Sequence, residues 1–367
     1  MDLGMAKPQE QTFPCDSCGA DLHYQPGTQH VRCPYCGSAQ RIEASTDEVR
    51  ELGYVEALQG LEDEVVMEEH LTIECPSCRS QTTFEPNITA DECAFCGTKI
   101  VVQGKSTRAI RPAALLPFKV KRQEAARLFK TWLSKLWFAP NALKKFARMG
   151  GLDGLYIPYW TYDCHATTTY SGQRGEHYYV TETYRDTDTN GKTVTRTRQV
   201  RKTRWYPASG TVSDTFDDIL VLGSTSLPEK EANALEPWDL EKLIPYQENY
   251  LSGFKVQSYQ VNLKQGFEVA KTIAESTIRR SIRRDIGGDE QRISHMNPRY
   301  SDISFKHVLL PVWISAYRYR DKVYRFLVNA RTGEVQGERP WSWIKILFTV
   351  LVVAAIIVLV VSSGQSR

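Results

Sequence analysis

Eight of the nine cysteines in this chain fall into two blocks of identical internal spacing. Cys15-x2-Cys18 is followed after fourteen residues by Cys33-x2-Cys36, and Cys75-x2-Cys78 in the same way by Cys93-x2-Cys96. Each cysteine of the second block lies 60 positions after its counterpart, so one unit has been copied. Two short knuckles can each present two thiolates to one ion. The spacing therefore predicts two tetrahedral all-sulfur sites, one Zn2+ in each of two zinc ribbons. The ligands are Cys15, Cys18, Cys33 and Cys36 in the first, and Cys75, Cys78, Cys93 and Cys96 in the second. A disulfide framework would need an oxidising compartment. No stretch resembling a signal peptide precedes Cys15, and Cys164 would be left over.

The flanking residues agree. Gly19, Gly37 and Gly97 follow the second cysteine of their knuckles, where the chain turns back with a positive φ that glycine tolerates. Arg79 takes the fourth such place, which implies local strain if φ is positive there too. Tyr24 matches Phe84 across the repeat, and Tyr35 matches Phe95.

The other end carries a second constraint. Ile346 to Val361 contains no charged residue and only Thr349 as a clearly polar one. With Ile344 and Lys345 the run reaches about 27 Å of helix, close to a hydrocarbon core of roughly 30 Å. Trp341 and Trp343 lie at its leading edge, and Lys345 could snorkel outward. The expectation is one C-terminal transmembrane helix over 341–361 with a short tail, 362–367. The protein would then be single-pass in the cell membrane, its N-terminal body facing the cytoplasm.

Charge divides the chain. Residues 1–104 carry 6 Lys and Arg against 18 Asp and Glu, a net of −12; residues 105–367 carry 40 against 25, a net of +15. Binding DNA begins with neutralising phosphates, so the acidic ribbons suit contact with protein better than with nucleic acid. The basic remainder could face anionic lipid, nucleic acid or the acidic ribbons of its own chain.

Along the chain, a disordered leader (1–11) precedes ribbon 1 (12–42). Residues 43–72 read as an acidic helical linker, opened by a capping box from Ser45 to Glu48. Ribbon 2 covers 73–104. A basic helical segment follows (105–154), with one helix from about Lys121 to Phe138 and a shorter one from Pro140 to Met149. Residues 155–340 form an aromatic-rich β body. Within it, Asn190-Gly191 signals a hairpin turn between His177–Tyr184 and Lys192–Tyr206, the second arm alternating Thr or Val with Arg196, Arg198, Arg201 and Arg204. A helix spans about 265–286, stopped by Gly287-Gly288. Leu116-Pro117-Phe118, Ile157-Pro158-Tyr159-Trp160 and Leu310-Pro311-Val312-Trp313 share an apolar-Pro-apolar opening, with proline expected at strand starts. The fold class is α+β: two small ribbons, a mixed antiparallel β-rich body with amphipathic helices, and the C-terminal transmembrane helix.

No constellation for catalysis is legible. Gly104-Lys105-Ser106 and Gly191-Lys192-Thr193 end like a phosphate-binding loop but lack its earlier glycine, with Lys99 and Asp186 in that place. Cys164 and His165 are neighbours that a strand would send to opposite faces.

With the paired knuckles Cys15–Cys36 and Cys75–Cys96, the two Pro-containing strands at Ile157–Trp160 and Leu310–Trp313, and the apolar tail, the chain resembles a bacterial family. Its members carry tandem zinc ribbons and a C-terminal membrane anchor, and are often labelled primosomal protein N′ (replication factor Y) or helicase-like. Knuckles such as Cys33-Pro34-Tyr35-Cys36-Gly37 occur in that helicase, but its nucleotide-binding motifs are missing here, so its activity is not implied. The resemblance implies work beside phage-shock-type and flotillin-like (SPFH) proteins in envelope stress. The expected function is a non-enzymatic, membrane-anchored adaptor that recruits protein partners from the cytosol. The alternative is a membrane-associated nucleic-acid-binding replication accessory.

Overall fold

The computed structural model describes residues 14–60, 67–83, 90–96, 98–101, 105–138, 151–187, 191–319, 322–338 and 342–364. The leader 1–11, the helix expected from Pro140 to Met149, Gly97, Asn190 and Trp341 lie outside these residues. The N-terminal strands are β1 (His23–Tyr24), β2 (His30–Arg32), β3 (Ala39–Arg41) and β4 (Leu52–Gly53), followed by α1 (Tyr54–Gly60). Next come β5 (Met67–Glu74), β6 (Gln81–Thr83), β7 (Ala90–Glu92), β8 (Lys99–Val101), β9 (Lys105–Ile110), β10 (Ala114–Leu115) and α2 (Arg122–Ser134). Two very long strands, β11 (Asp153–Thr187) and β12 (Thr193–Leu222), precede α3 (Glu229–Asn233), β13 (Ile244–Pro245), β14 (Lys255–Val256) and α4 (Leu263–Ile286). The chain continues through β15 (Glu290–Tyr319), β16 (Lys322–Asn329) and β17 (Val335–Gly337) to α5 (Trp343–Gly364).

Twelve strands share one sheet, its spine ordered β13-β10-β15-β11-β14-β6-β5-β9, with β12 on β11. The three Pro-containing motifs come together here. β10 runs parallel to β15 at Leu115↔Leu309, and β11 lies antiparallel to β15 at Ile157↔Leu310. Pro158 and Pro311 sit inside these strands rather than at their starts. Runs such as Leu155–Trp160 and Val308–Ile314 are apolar without alternation because both faces are covered. Tyr156, Leu309 and Trp313 join one core with Phe118, while Leu155, Ile157, Val308 and Leu310 join a second.

Helix α4 builds a third core. Asn262 caps it reciprocally: its side chain accepts from the Gln265 amide (2.9 Å), and the Gln265 side chain accepts from the Asn262 amide (3.1 Å). Ala270, Ala274, Ile278, Ile282 and Ile286 recur at helical spacing and pack on Trp160, Tyr162, Ala166 and Tyr170 of β11. Gly287, at φ 65°, ends it.

Several expectations change. The helix expected from Ser45 forms only from Tyr54. The Ser45 hydroxyl accepts from the Asp47 amide instead (3.1 Å), and Leu52–Gly53 pairs with Ser304–Phe305 of β15. Ribbon 1 has its own three-stranded sheet, but ribbon 2 fits the ribbon form only in part. Its β5 and β6 belong to the large sheet, and only β7 and β8 pair by themselves.

The fold class is corrected at the C-terminus. Side chains of α5 are described from Trp343 to Val358, about 24 Å of helix, with Lys345 in the first turn, against a hydrocarbon core of roughly 30 Å. Among the described residues no helix is long and apolar enough to cross a membrane. The structure therefore does not support a transmembrane helix over 341–361, a single-pass cell-membrane location, or a body thereby placed facing the cytoplasm. What it has instead is a β-rich fold ending in a helix with exposed Leu347, Phe348 and Leu351.

Candidate metal centres

The knuckle repeat brings each set of four cysteines to one point, with their sulfur atoms within 4.8 Å of one another. In ribbon 1, Cys15 Sγ lies 3.5 Å from Cys36 Sγ, and Cys18 Sγ 3.5 Å from Cys33 Sγ. In ribbon 2 the corresponding separations are 3.6 Å (Cys75–Cys96) and 3.7 Å (Cys78–Cys93). A tetrahedron with metal–sulfur bonds of about 2.3 Å has edges of about 3.8 Å, so both sets fit an ion at their centre. A disulfide would need about 2.05 Å. All nine cysteines are free thiols.

Within each cluster some thiols are lowered while neighbours are raised. The amides of Cys36 and Tyr35 hold the Cys33 thiol down at about 6, while Cys36, despite the Ser38 amide, is pushed up by its bond to Cys15. The Cys93 thiol, then the Ser80 hydroxyl, hold Cys78 down at about 4, and Cys93 is pushed up in return. The turns close as the repeat implies: Gly19 and Gly37 have φ of 72° and 76°, and Arg79 adopts φ 58°.

The two centres are mounted differently. Ribbon 2 is driven knuckle-first into the body. Phe95 is 0% exposed and, with Cys75, Cys93 and Ala94, joins the core of Leu155, Ile157 and Leu310. Arg325 Nε donates to the Phe95 carbonyl (3.0 Å). Ribbon 1 docks by the opposite edge. The Tyr24 amide donates to Ser252 O (3.0 Å), its hydroxyl donates to Phe118 O (3.2 Å), and its ring stands 5.0 Å from that of Tyr250. Its knuckles face outward: Cys18 and Cys36 are exposed, and Tyr35, the counterpart of Phe95, is 83% exposed. A hollow of about 560 Å³ beside it is lined by His23, Arg32, Pro34 and Tyr35 among others.

One polar cluster was not legible in the sequence, because its members are up to 255 residues apart. Lys306, on β15, is buried. Its ammonium lies 2.8 Å from Asp218 Oδ1, 2.9 Å from Glu51 Oε1 and 3.7 Å from Asp163 Oδ2. Asp163, Asp217 and Asp218 are close enough to share a cation, and the Lys306 ammonium supplies one from within. Burial works against that ammonium, but its bonds to Asp218 and Glu51 hold it above the ordinary lysine value. Burial lifts Asp163 to about 6, whereas its bond to Lys306 lowers Glu51. The cluster pins the segment between the ribbons to the body.

Cys164 and His165 do face apart. The Cys164 thiol is buried and raised by that burial to about 11, while the exposed His165 ring bonds the Thr215 hydroxyl (3.0 Å).

Over 335 residues, 90% of either chain, the protein is 25% identical to an uncharacterized protein, YdjG, of Bacillus subtilis (strain 168). No family model matches the chain. No solved structure matches it either. The arrangement common to fold and site is a β-rich body carrying two four-cysteine clusters, each suited to hold a metal ion.

Proposed function

We propose that the protein is a non-enzymatic adaptor stabilised by two zinc ions, and that ribbon 1 carries its protein-binding surface. The observation that carries this reading is the contrast at one repeated position, Phe95 at 0% exposed against Tyr35 at 83%. A structural ribbon has reason to bury its knuckle aromatic. A large ring held in solvent by a rigid metal-closed turn is a low-entropy anchor of the kind protein interfaces favour. Arg32 Nε is already fixed on the Gly37 carbonyl (3.2 Å), and this guanidinium flanks the ring in the same hollow. Zinc, rather than a redox-active metal, suits centres whose work is to hold a turn. The resemblance drawn from the sequence makes flotillin-like and phage-shock-type proteins the first partners to try.

Affinity capture with the full chain, alongside its Tyr35→Ala variant, tests this. The variant should keep two zinc ions and its melting transition while losing the captured partner. If it retains the partner at wild-type level, ribbon 1 is not the contact surface and the reading is wrong.

A further inference from the structure

The long strands continue well past the body, and one of their two faces is uncovered. Helix α4 packs on the even-numbered side of β11, reaching Ala166 and Tyr170. The register of β12 and β15 on β11 therefore defines the opposite side. Thr167, Ser171, Gln173, Tyr179 and Arg185 share it with their partners Ser213, His295, Arg292, Arg201 and Thr195. From Thr167 to Thr187 this face runs for about 70 Å at roughly 3.4 Å per residue.

Its chemistry is one-sided. Hydroxyls dominate, among them Thr169, Thr181, Thr197 and Thr211. Four exposed arginines lie along it, Arg185, Arg201, Arg292 and Arg299, none in an ion pair with a described residue. Over this span Glu290 is the only carboxylate of the described strands on this side. It is already engaged by His177 (2.8 Å) and the Thr203 hydroxyl (3.0 Å). The other carboxylates of the described arm, Glu176, Glu182 and Asp186, pair with Arg174, Arg198, Lys202 and Arg196; the register puts all of these on the opposite face. On the open side the carboxylates gather at one place, where Glu290 and, just ahead of β15, Asp289 both meet His177, and the rest of that side is left without them.

Two flat platforms complete it. Tyr179 is 65% exposed. Four residues nearer the body, the Arg292 guanidinium lies 3.8 Å from the Trp205 ring centroid, and Gly175 leaves the room that lets the indole cross the strand. Tyr179 faces Arg201 and Gly175 faces Trp205, so the platforms stand about 14 Å apart along the strands.

We infer that this open face binds single-stranded nucleic acid, with the arginines and hydroxyls on the phosphate–sugar backbone and unpaired bases stacked on Tyr179 and on the Arg292–Trp205 pair. The exposed Tyr179 ring and the Arg292 plane laid over Trp205 favour a single strand, since a duplex keeps its bases stacked on one another. Rings and arginine planes on an open sheet serve that purpose generally. An acidic polypeptide would satisfy the arginines but leave the rings unused.

Anisotropy of a labelled oligonucleotide of about 20 residues, titrated with the full chain at 50 and 200 mM salt, tests this. Binding should weaken with salt. The double variant Arg201→Ala/Arg299→Ala should bind about tenfold more weakly, its log–log salt slope reduced by about 1.4, at about 0.7 per lost phosphate contact. Tyr179→Ala should also cost about tenfold, with the slope unchanged, as loss of one stacked base requires. Arg196→Ala/Arg198→Ala, on the opposite face, should stay within about twofold. No binding at 50 mM salt would overturn the inference, as would equal losses from both arginine pairs. A Tyr179→Ala variant that binds normally, with polyglutamate competing as well as the oligonucleotide, would replace it with capture of an acidic polypeptide.

Discussion

Ribbon 1 and ribbon 2 share cysteine spacing, closing turns and sulfur geometry, yet they occupy opposite environments. Ribbon 2 buries its knuckle aromatic and lends β5 and β6 to the main sheet, so its metal centre is part of the body's core. Ribbon 1 keeps its own three strands, grips the body by Tyr24, and holds its second knuckle in solvent. Duplication preserved what the metal demands, namely ligands and turn conformation. It left the outer aromatic free to serve packing in one copy and exposure in the other.

The largest expected effect separates the two centres by removing one ligand from each. Metal binding contributes roughly 10–16 kcal/mol to folding of such sites. Because Cys93 lies in the body's core, Cys93→Ser should lower the main melting transition of the whole chain and open it to proteolysis. Cys18→Ser should lose one metal ion equally well but leave that transition close to wild type, with cleavage confined to ribbon 1. Calorimetry with metal analysis reads both. Equal effects on the main transition would erase the distinction between a built-in and an appended ribbon. For the same reason a strong chelator should disturb more than the two ribbons, 12–104.

Next in size is the aromatic pair itself. Phe95→Ala removes a fully buried ring and should cost about 3–5 kcal/mol. Tyr35→Ala removes a solvent-exposed one and should stay within about 0.5 kcal/mol. Chemical denaturation of the two variants measures this, and similar values would mean that Tyr35 is covered in solution.

How far this contrast could be read from the sequence depends on range. The ligands were legible because a metal fixes residue type and spacing locally, and Arg79's conformation followed from the copy. The stop of α4 was legible because Gly287 acts locally, whereas its start, capped by Asn262 and Gln265, lies slightly ahead of the 265 that the pattern suggested. The fate of Tyr35 and Phe95 was not, since both are aromatic and only the rest of the chain decides which is covered. The hairpin turn was visible at Gly191, but the two paired strands run from Asp153 to Leu222, well beyond the arms read as His177–Tyr184 and Lys192–Tyr206. On the face that α4 covers, Thr168, Gly210 and Asp214 are not apolar, so the alternation of a half-buried strand fades there. The apolar tail spoke for a membrane span, whereas the described part of α5 falls short of one.

The segment between the ribbons adds a pH-dependent term of intermediate size. Asp163, lifted to about 6 by burial, sits above its unfolded value. It therefore stabilises the fold most below that unfolded value, and the contribution is lost as pH rises through about 6. Glu51 is shifted the other way, so its contribution is present above its unfolded value and lost as pH falls through its lower folded value. Asp163→Asn removes the first term. Relative to the variant, wild type should lose roughly 1–2 kcal/mol between pH 4 and 7, measured by denaturant titration at each pH. A difference that is flat over this window would show that the Lys306 cluster holds Asp163 ionised throughout.

The smallest effect tests the one place where the copies differ in the turn itself. A non-glycine residue in the left-handed region costs about 1–2 kcal/mol, and Arg79 occupies it at φ 58°. Arg79→Gly should therefore raise the stability of ribbon 2 by about 1 kcal/mol, partly offset by the freer unfolded chain that glycine brings. Because ribbon 2 is fused with the body, the gain should appear in the main melting transition. The reciprocal change, Gly19→Ala, meets no neighbouring atom within 4 Å, so any cost is the backbone's own. It should weaken ribbon 1 by a similar amount, seen as easier metal loss to a competing chelator and not as a shift of the main transition. If instead Gly19→Ala moved the main transition as far as Arg79→Gly does, strain would pass between the ribbons through the body, and the two centres would have to be treated as one cooperative unit.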